Sequence, residues 1–224
     1  MGTENIIFSH VLKLLKQKEI ENDQTPVIIV DFGGMYSLSF LRIANLLEKT
    51  GDLISRGKVV VVVTNLAFTP EFGIEVLDHE DNPLPSADKL FFRSHYHLAH
   101  YIQSDAAELR YKNIRLPDGS TLSLNGNIDL LHETFALVHG LKNDVDLPMI
   151  GAVMSKRGVI FTSTKDMHMN GFDESDAEFF SRVQAHKKGE KNLLDRGFKL
   201  QAIDERSKYN IYLAPDSGEV DLNA

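Results

Sequence analysis

Two short runs of uninterrupted apolar residues constrain the fold of this chain more than any other feature of its sequence. Val27–Val30 and Val59–Val63 are each the length of a strand, and an apolar run without alternation is typical of a strand buried on both faces of a sheet. Between them lie a Gly33–Gly34 turn and a segment with helical apolar spacing that stops near Gly51. Strand, helix and strand in this order predict a βαβ unit with parallel strands and a right-handed crossover.

The rest of the chain continues this alternation. Apolar runs at Ile128–Leu131 and Val159–Ser163 predict two further inner strands. The segments Phe198–Ile203 and Tyr209–Leu213 are joined by a connection too short for a crossover, so they should pair antiparallel. Apolar spacing predicts helices over residues 5–20, 87–103, 145–154 and 173–194, and a hairpin over residues 114–124. We therefore expect an α/β protein with helices on both faces of a mainly parallel sheet.

Composition excludes several classes of function. The chain of 224 residues carries 24 Lys and Arg against 32 Asp and Glu, a formal net charge of −8, so nucleic acid is not expected as a partner. The absence of cysteine excludes disulfides, thiolate metal sites and a cysteine nucleophile. No apolar run approaches the roughly 18 to 20 residues of a transmembrane helix, and no signal-peptide pattern starts the chain. We expect a cytoplasmic protein with no membrane partner.

Four segments, taken in their order along the chain, resemble the class I S-adenosylmethionine-dependent methyltransferases. VIIVDFGGMYS (Val27–Ser37) lies where that family has its glycine-rich first loop, and NIDLLHETFALVHGL (Asn127–Leu141) resembles its fourth strand and the helix after it. RGVIFTSTKD (Arg157–Asp166) is similar to its fifth strand, and LLDRGFKLQAIDERSKYNIYLA (Leu193–Ala214) to its final helix and antiparallel strands. The resemblance implies a three-layer Rossmann-like sandwich whose mostly parallel, seven-stranded sheet ends in a C-terminal antiparallel hairpin.

The resemblance also implies a function, methyl transfer from S-adenosyl-L-methionine to a small-molecule acceptor, with a protein as the second choice of acceptor. The residues that would bind the cofactor follow the first and second strands: Asp31, Gly33, Gly34, Tyr36 and Asn65. His132 and Glu133 end the fourth strand and are the candidate catalytic residues, because histidine exchanges protons near neutral pH. A homodimer is compatible with the sequence.

A non-catalytic protein of the same fold is one alternative that stays open. The first loop of the family is E/D-x-G-x-G-x-G, whereas this chain has only Gly33 and Gly34. The second strand of the family ends in an acidic residue, whereas this one ends in Thr64–Asn65, and an amide accepts two ribose hydroxyls less well than a carboxylate. Such a protein would bind a partner and carry out no chemistry.

A metal-dependent hydrolase is the other alternative. His95, His97 and His100 resemble the H-x-H-x-D-H motif of the metallo-β-lactamase fold, although Ala99 stands where the aspartate should be. On a helix His95 and His97 would point to different faces. No metal ligand is therefore assigned.

The expected organisation is one methyltransferase-like domain over residues 1–214, followed by a frayed tail over residues 215–224. Residues 67–112 are expected to form an inserted, lid-like segment that leaves the sheet after Thr64–Asn65. Residues 87–103 should form a helix packed over the carboxyl edge of the sheet, where ligands bind in open α/β folds. His95 and His97 would then be acceptor contacts or surface residues.

Overall fold

The computed structural model describes residues 3–33, 37–65, 86–133, 143–163, 176–201 and 209–222. Within these ranges the helices are α1 (Thr3–Ile20), α2 (Leu38–Gly51), α3 (Ser86–His95), α4 (Asn143–Val153) and α5 (Asp176–Asp195). The strands are β1 (Val27–Phe32), β2 (Val59–Asn65), β3 (His100–Gln103), β4 (Asn113–Arg115), β5 (Thr121–Ser123), β6 (Ile128–Glu133), β7 (Met154–Ser163), β8 (Lys199–Gln201) and β9 (Tyr209–Leu213). Short 3₁₀ helices cover Tyr96–Leu98 and Leu109–Tyr111.

Seven of the described strands form one sheet in the order β3-β2-β1-β6-β7-β9-β8. Neighbours from β3 to β7 run parallel, and β9 pairs antiparallel with both β7 and β8. The four apolar runs are β1, β2, β6 and β7, and each has a neighbour on both sides. The predicted mostly parallel, seven-stranded sheet with a C-terminal antiparallel hairpin is confirmed. The hairpin predicted over residues 114–124 is also present, as the separate β4–β5 pair.

A hydrophobic core lies on each side of the sheet. Val27 and Ile29 pack in one core with residues of α1 and α2, such as Val11 and Phe40. The side chains of alternate residues along β1 pack in the other core with residues of α4 and α5. We call these two sides the α1–α2 face and the α4–α5 face. Because alternate residues of a strand point to opposite faces, the buried runs supply both cores, and the predicted three-layer sandwich is confirmed.

The prediction of one helix over residues 87–103 is wrong. The helix α3 ends at His95, a 3₁₀ turn follows, and the chain then extends into β3, which pairs parallel with β2 from Val62↔His100 to Asn65↔Gln103. Pairing with the free edge of β2 overrides the helical spacing of the apolar residues in this segment. The described part of the expected insertion therefore supplies a strand of the sheet. Its residues 67–85 lie outside the described ranges.

Residues 215–222 are packed against the body of the protein, so the expectation of a frayed tail is wrong for them. Val220 is buried, and its backbone N–H and C=O both bond the side-chain amide of Gln201, at 3.0 and 2.9 Å. The backbone N–H of Asp216 also donates to the carbonyl of Lys156. None of the helices in the described ranges is long and apolar enough to cross a membrane.

Candidate functional site

The site predicted from the sequence lies at the carboxyl edge of β1, β2 and β6. These strands are adjacent and parallel, so their last residues align in rows across the sheet. Val63, Asp31 and His132 form one row, and Thr64, Phe32 and Glu133 form the next. Between β1 and β6 the direction of strand succession reverses, and ligands of open α/β sheets bind at such a switch point.

Asp31 and His132 form a buried pair on this edge. Nδ1 of His132 lies 2.9 Å from Oδ1 of Asp31, and only 5% of the aspartate side chain and 6% of the histidine side chain are exposed. The imidazole also lies against Phe40 of α2, with 5.3 Å between ring centroids. Because a carboxylate oxygen can only accept, this contact assigns a proton to Nδ1.

Ser37 holds the other oxygen of the same carboxylate. Its hydroxyl donates to Oδ2 of Asp31, although Ser37 directly precedes α2, where a serine side chain usually caps the helix. The side chain forms no capping bond, and the backbone of Ser37 is left-handed, with φ +46° and ψ +40°. A non-glycine residue adopts this conformation at a cost in free energy, and here it accompanies the contact with Asp31.

Tyr101 of β3 lies near enough to Asp31 to be influenced by its charge. Burial and, secondarily, the negative charge of Asp31 raise the pKa of the tyrosine hydroxyl above its usual range. The Tyr101 ring packs near Phe92 of α3, with 6.0 Å between centroids. The hydroxyl therefore stays protonated at neutral pH, and the α1–α2 face of the edge carries Asp31, Ser37, His132 and Tyr101 together.

Glu133 lies on the opposite face from His132. Leu130 belongs to the core of the α1–α2 face and Leu131 to the other core, so alternation along β6 sends Glu133 toward the α4–α5 face. Glu133 is fully buried. The two candidate catalytic residues thus end the same strand without facing the same space.

Thr64 occupies the same face as Glu133, two strands away. The preceding residues Val60 and Val62 belong to the core of the α4–α5 face, and Thr64 continues their alternation. Its hydroxyl is buried and forms no hydrogen bond with any residue in the described ranges. Such a group favours a polar ligand, because leaving it unbonded costs free energy.

The glycine loop is described only at its first residue. Gly33 has φ +78°, a conformation that favours glycine, and its N–H donates to the carbonyl of Thr64 at 2.8 Å. Gly34 and Tyr36 lie outside the described residues. Asn65 pairs through its backbone in β2, and its side chain is not described.

The three clustered histidines do not form a metal site. His95 stacks on Phe91 at 4.2 Å and donates from Nδ1 to the carbonyl of Phe91. His97 is exposed in the 3₁₀ turn, and His100 begins β3. Across the part of the chain that the structure describes, no three His, Asp or Glu side chains are grouped to hold an ion.

A polar cleft of about 290 Å³ lies at the other edge of the sheet, where the amino ends of the parallel strands meet. There the buried carboxylate of Asp129 accepts from the N–H of Ile28 at 3.0 Å and from the hydroxyl of Ser155 at 2.9 Å, and Nζ of Lys18 lies 3.6 Å away. Lys18 also donates to the hydroxyl of Thr25 at 2.9 Å. These groups bond one another, so the cleft ties α1 to the sheet, and the switch point remains the candidate site.

Ser37 as a partner of Asp31 is the contact that sequence reasoning missed. The one available signal was a hydroxyl residue six positions after the aspartate, on the far side of the strand-to-helix turn. The sequence pattern at such a position indicates a helix cap, since capping is the usual role of serine before a helix.

Comparison with known proteins finds likeness in structure only. No protein-family model and no curated protein sequence matches this chain. The DszA carbon methyltransferase superposes with a TM-score of 0.51 at 9% identity, over 96% of this chain and 54% of that one. A 16S rRNA (adenine(1408)-N(1))-methyltransferase from Catenulisporales acidiphilia superposes with a TM-score of 0.50 at 12% sequence identity. The match covers 92% of this chain and 93% of that one. The methyltransferase domain of a citrinin polyketide synthase superposes with a TM-score of 0.47 at 11% sequence identity, and this chain spans 47% of its length. The first two of these structures, with TM-scores of 0.51 and 0.50, share the fold of this chain.

Proposed function

We propose that this chain, which has the fold of class I S-adenosylmethionine-dependent methyltransferases, transfers a methyl group from S-adenosyl-L-methionine to a small-molecule acceptor. The observation that carries the proposal is the convergence of polar side chains at one switch point. Asp31, Ser37, His132 and Tyr101 gather on one face of it, and Thr64 and Glu133 on the other. Asp31, Thr64, His132 and Glu133 stand at the carboxyl ends of largely apolar strands, whereas Ser37 directly precedes α2 and Tyr101 lies within β3.

The chemistry of this edge fits the cofactor. A sulfonium is a cation, and the edge carries two buried acidic side chains, Asp31 and Glu133, whose carboxyl oxygens would interact favourably with a cation. The buried hydroxyl of Thr64 offers a polar partner to a nucleoside. Gly33, Gly34, Tyr36 and Asn65 are the residues proposed to hold the cofactor. When bound, it supplies an electrophilic methyl group.

His132 is proposed to hold or accept a proton of the acceptor. The Nδ1–H bond to Asp31 leaves the basic lone pair of a neutral imidazole on Nε2. Glu133, on the other face, is proposed to act on the charge of the bound cofactor. A small-molecule acceptor is favoured over RNA or DNA because the formal net charge of −8 repels a phosphate backbone.

A non-catalytic binding protein is the second candidate, and three contacts favour it. The N–H of Gly33 is already bonded to Thr64, and both carboxylate oxygens of Asp31 have partners within the protein. An amide residue, Asn65, also stands where the family has an acid. These contacts reduce the number of groups left to bind S-adenosylmethionine.

Release of S-adenosylhomocysteine tests the proposed activity. The protein is incubated with S-adenosylmethionine and pooled small molecules that carry hydroxyl, amine or activated carbon groups, and the by-product is measured by mass spectrometry. We expect release above the acceptor-free background with at least one pool, and its loss in His132→Gln. Binding of S-adenosylhomocysteine without release in any pool would favour the binding-protein candidate.

A further inference from the structure

Each oxygen of the Asp31 carboxylate has a partner in a neighbouring side chain. Oδ1 accepts from His132 at 2.9 Å and Oδ2 accepts from the hydroxyl of Ser37, and 5% of the aspartate side chain is exposed. Each oxygen could accept a second hydrogen bond, but the burial of the side chain leaves little of it accessible to a ligand. Here both oxygens are used to fix side chains on the same face of the sheet.

We propose that Asp31 is a positioning residue that orients His132 to accept a proton from the acceptor molecule, and is not itself a ligand of the cofactor. This inference rests on the proposed function. It replaces the role that the family resemblance implies for Asp31, and it narrows the acceptor to molecules that lose a proton when they are methylated.

The geometry of the pair defines which nitrogen acts. Since Oδ1 can only accept, the Nδ1 atom of His132 carries the proton, and Nε2 carries the lone pair. When an acceptor group X–H gives up its proton, the X–H bond breaks and an Nε2–H bond forms. The resulting imidazolium keeps its Nδ1–H bond to the Asp31 carboxylate, so the pair as a whole becomes neutral and the deprotonated acceptor atom X becomes the nucleophile.

Packing holds the imidazole in this orientation. The ring rests against Phe40, and the register of β1 with β6 places Asp31 directly beside His132. Ser37 fixes the carboxylate from its other side. Burial of both partners makes the hydrogen bond stronger than it would be in water.

The test is the tautomer of His132, read by long-range ¹H–¹⁵N NMR on protein labelled at its nine histidines. The His132→Gln spectrum identifies the His132 signals. In the parent protein at pH 8 we expect a proton on Nδ1 and none on Nε2. In Asp31→Asn the preference should be lost, because an amide can donate to Nδ1 as well as accept from it. Asp129→Asn is the matched control, a second buried aspartate on the far edge of the same sheet, and should leave the His132 signals unchanged.

Binding of S-adenosylhomocysteine supplies the second readout. If Asp31 only orients His132, Asp31→Asn should keep the affinity within about threefold, whereas removing a charge-assisted hydrogen bond to the ligand would cost about 30-fold. A loss of that size overturns the proposal. So does a parent His132 that is protonated on Nε2, or a tautomer that Asp31→Asn does not change.

The two readouts separate the proposal from the function on which it rests. A parent that does not bind S-adenosylhomocysteine overturns the proposed function, while the tautomer still decides whether Asp31 orients His132. If Asp31→Asn does not fold, the tautomer of His132 in the parent and in Ser37→Ala still tests the positioning role. Ser37→Ala keeps the Oδ1 contact and should therefore keep the proton on Nδ1, and a proton found on Nε2 in either protein overturns the positioning role.

Discussion

Nδ1 of His132 donates to Oδ1 of Asp31 across 2.9 Å, and the two residues are register partners on adjacent strands although 101 positions separate them in the sequence. The bond crosses the point where the order of strands reverses. It therefore links the two halves of the sheet at the edge proposed to bind ligand.

Removing either partner of this pair alone should destabilise the protein by about 3 to 5 kcal/mol, because it leaves a buried polar group without its partner. Asp31→Leu, His132→Leu and the double variant form a double-mutant cycle, measured by urea unfolding at pH 7.5. The double variant should cost clearly less than the sum of the single ones. Additive effects would contradict the pairing.

His10 makes the stability of the fold sensitive to acid. This histidine of α1 is 4% exposed, and neither ring nitrogen has a hydrogen-bond partner among the described residues. Burial, with a smaller contribution from the charge of Lys13, lowers its pKa from 6.5 to about 4. Between these two values the unfolded chain binds a proton that the folded protein does not, so stability falls as the pH falls.

We therefore expect the parent to lose about 2 kcal/mol through His10 between pH 8 and pH 5. His10→Leu should remove this part of the pH dependence. The matched control is His97→Leu, since His97 is exposed. Urea unfolding of the three proteins at both pH values gives the comparison, and parallel losses in His10→Leu and the parent would contradict the assignment.

Asp129 should contribute to stability through its hydrogen bonds and not through its charge. Burial, which outweighs the attraction of Lys18, raises the pKa of this carboxyl group above its usual value. The folded state therefore opposes ionisation of Asp129. As the pH rises through the raised pKa, the free energy of unfolding decreases. Asp129→Asn should fall within about 1 kcal/mol of the parent at pH 7.5, whereas Asp129→Ala should lose about 1 to 3 kcal/mol because the Ile28 N–H loses its acceptor.

Thermal and urea unfolding of these two variants measure the difference. Relative to the parent, Asp129→Asn should gain stability as the pH is raised from 4 to 7. Equal losses in the asparagine and alanine variants would contradict this account and would assign the stabilisation to the charge.

Gln201 holds the segment 215–222 against the sheet. Its side-chain amide makes two hydrogen bonds with the backbone of Val220. Gln201→Ala should cost about 1 to 2 kcal/mol and should expose the Val220 amide to hydrogen exchange. The control is Gln17→Ala, which removes a hydrogen bond between exposed side chains. Equal protection of the Val220 amide from hydrogen exchange in both variants would contradict this role of Gln201.

The strands of the sheet that are buried on both faces could be predicted from the sequence, because an uninterrupted apolar run of this length is typical of such a strand. The strand β3 could not. It has four residues, HYIQ, its apolar residues fit helical spacing with those of α3, and only pairing with β2 makes it extended. Edge strands of this length depend on tertiary contacts that a local pattern does not contain.

The candidate site could be predicted in its location but not in its contacts. Alternation along a strand already implies that His132 and Glu133 point to opposite faces. The partnership of Asp31 with His132 could not be derived, since it requires the register of β1 against β6. Ser37 carries the signature of a helix cap, and its left-handed backbone is visible only in the structure.

A pair of glycine substitutions tests the central claim, which is that S-adenosylmethionine binds at the carboxyl edge beside β1. Gly33 and Gly126 have nearly the same backbone, with φ +78° and +74°, so valine should strain both alike. Gly126 lies in the turn before β6, at the opposite edge, and has no heavy atom within 4 Å of an added Cβ. The two variants thus share a strained φ and lie at opposite edges of the sheet, only one of which is proposed to bind the cofactor.

The measurement is the affinity for S-adenosylhomocysteine by titration calorimetry of the parent, Gly33→Val and Gly126→Val. We expect the parent and Gly126→Val to bind with a dissociation constant below about 100 µM, equivalent to about −5.5 kcal/mol. Gly33→Val should bind at least about 30-fold more weakly, a loss of about 2 kcal/mol. Binding by Gly33→Val as tight as that of the parent, or no binding by the parent at all, would contradict the claim.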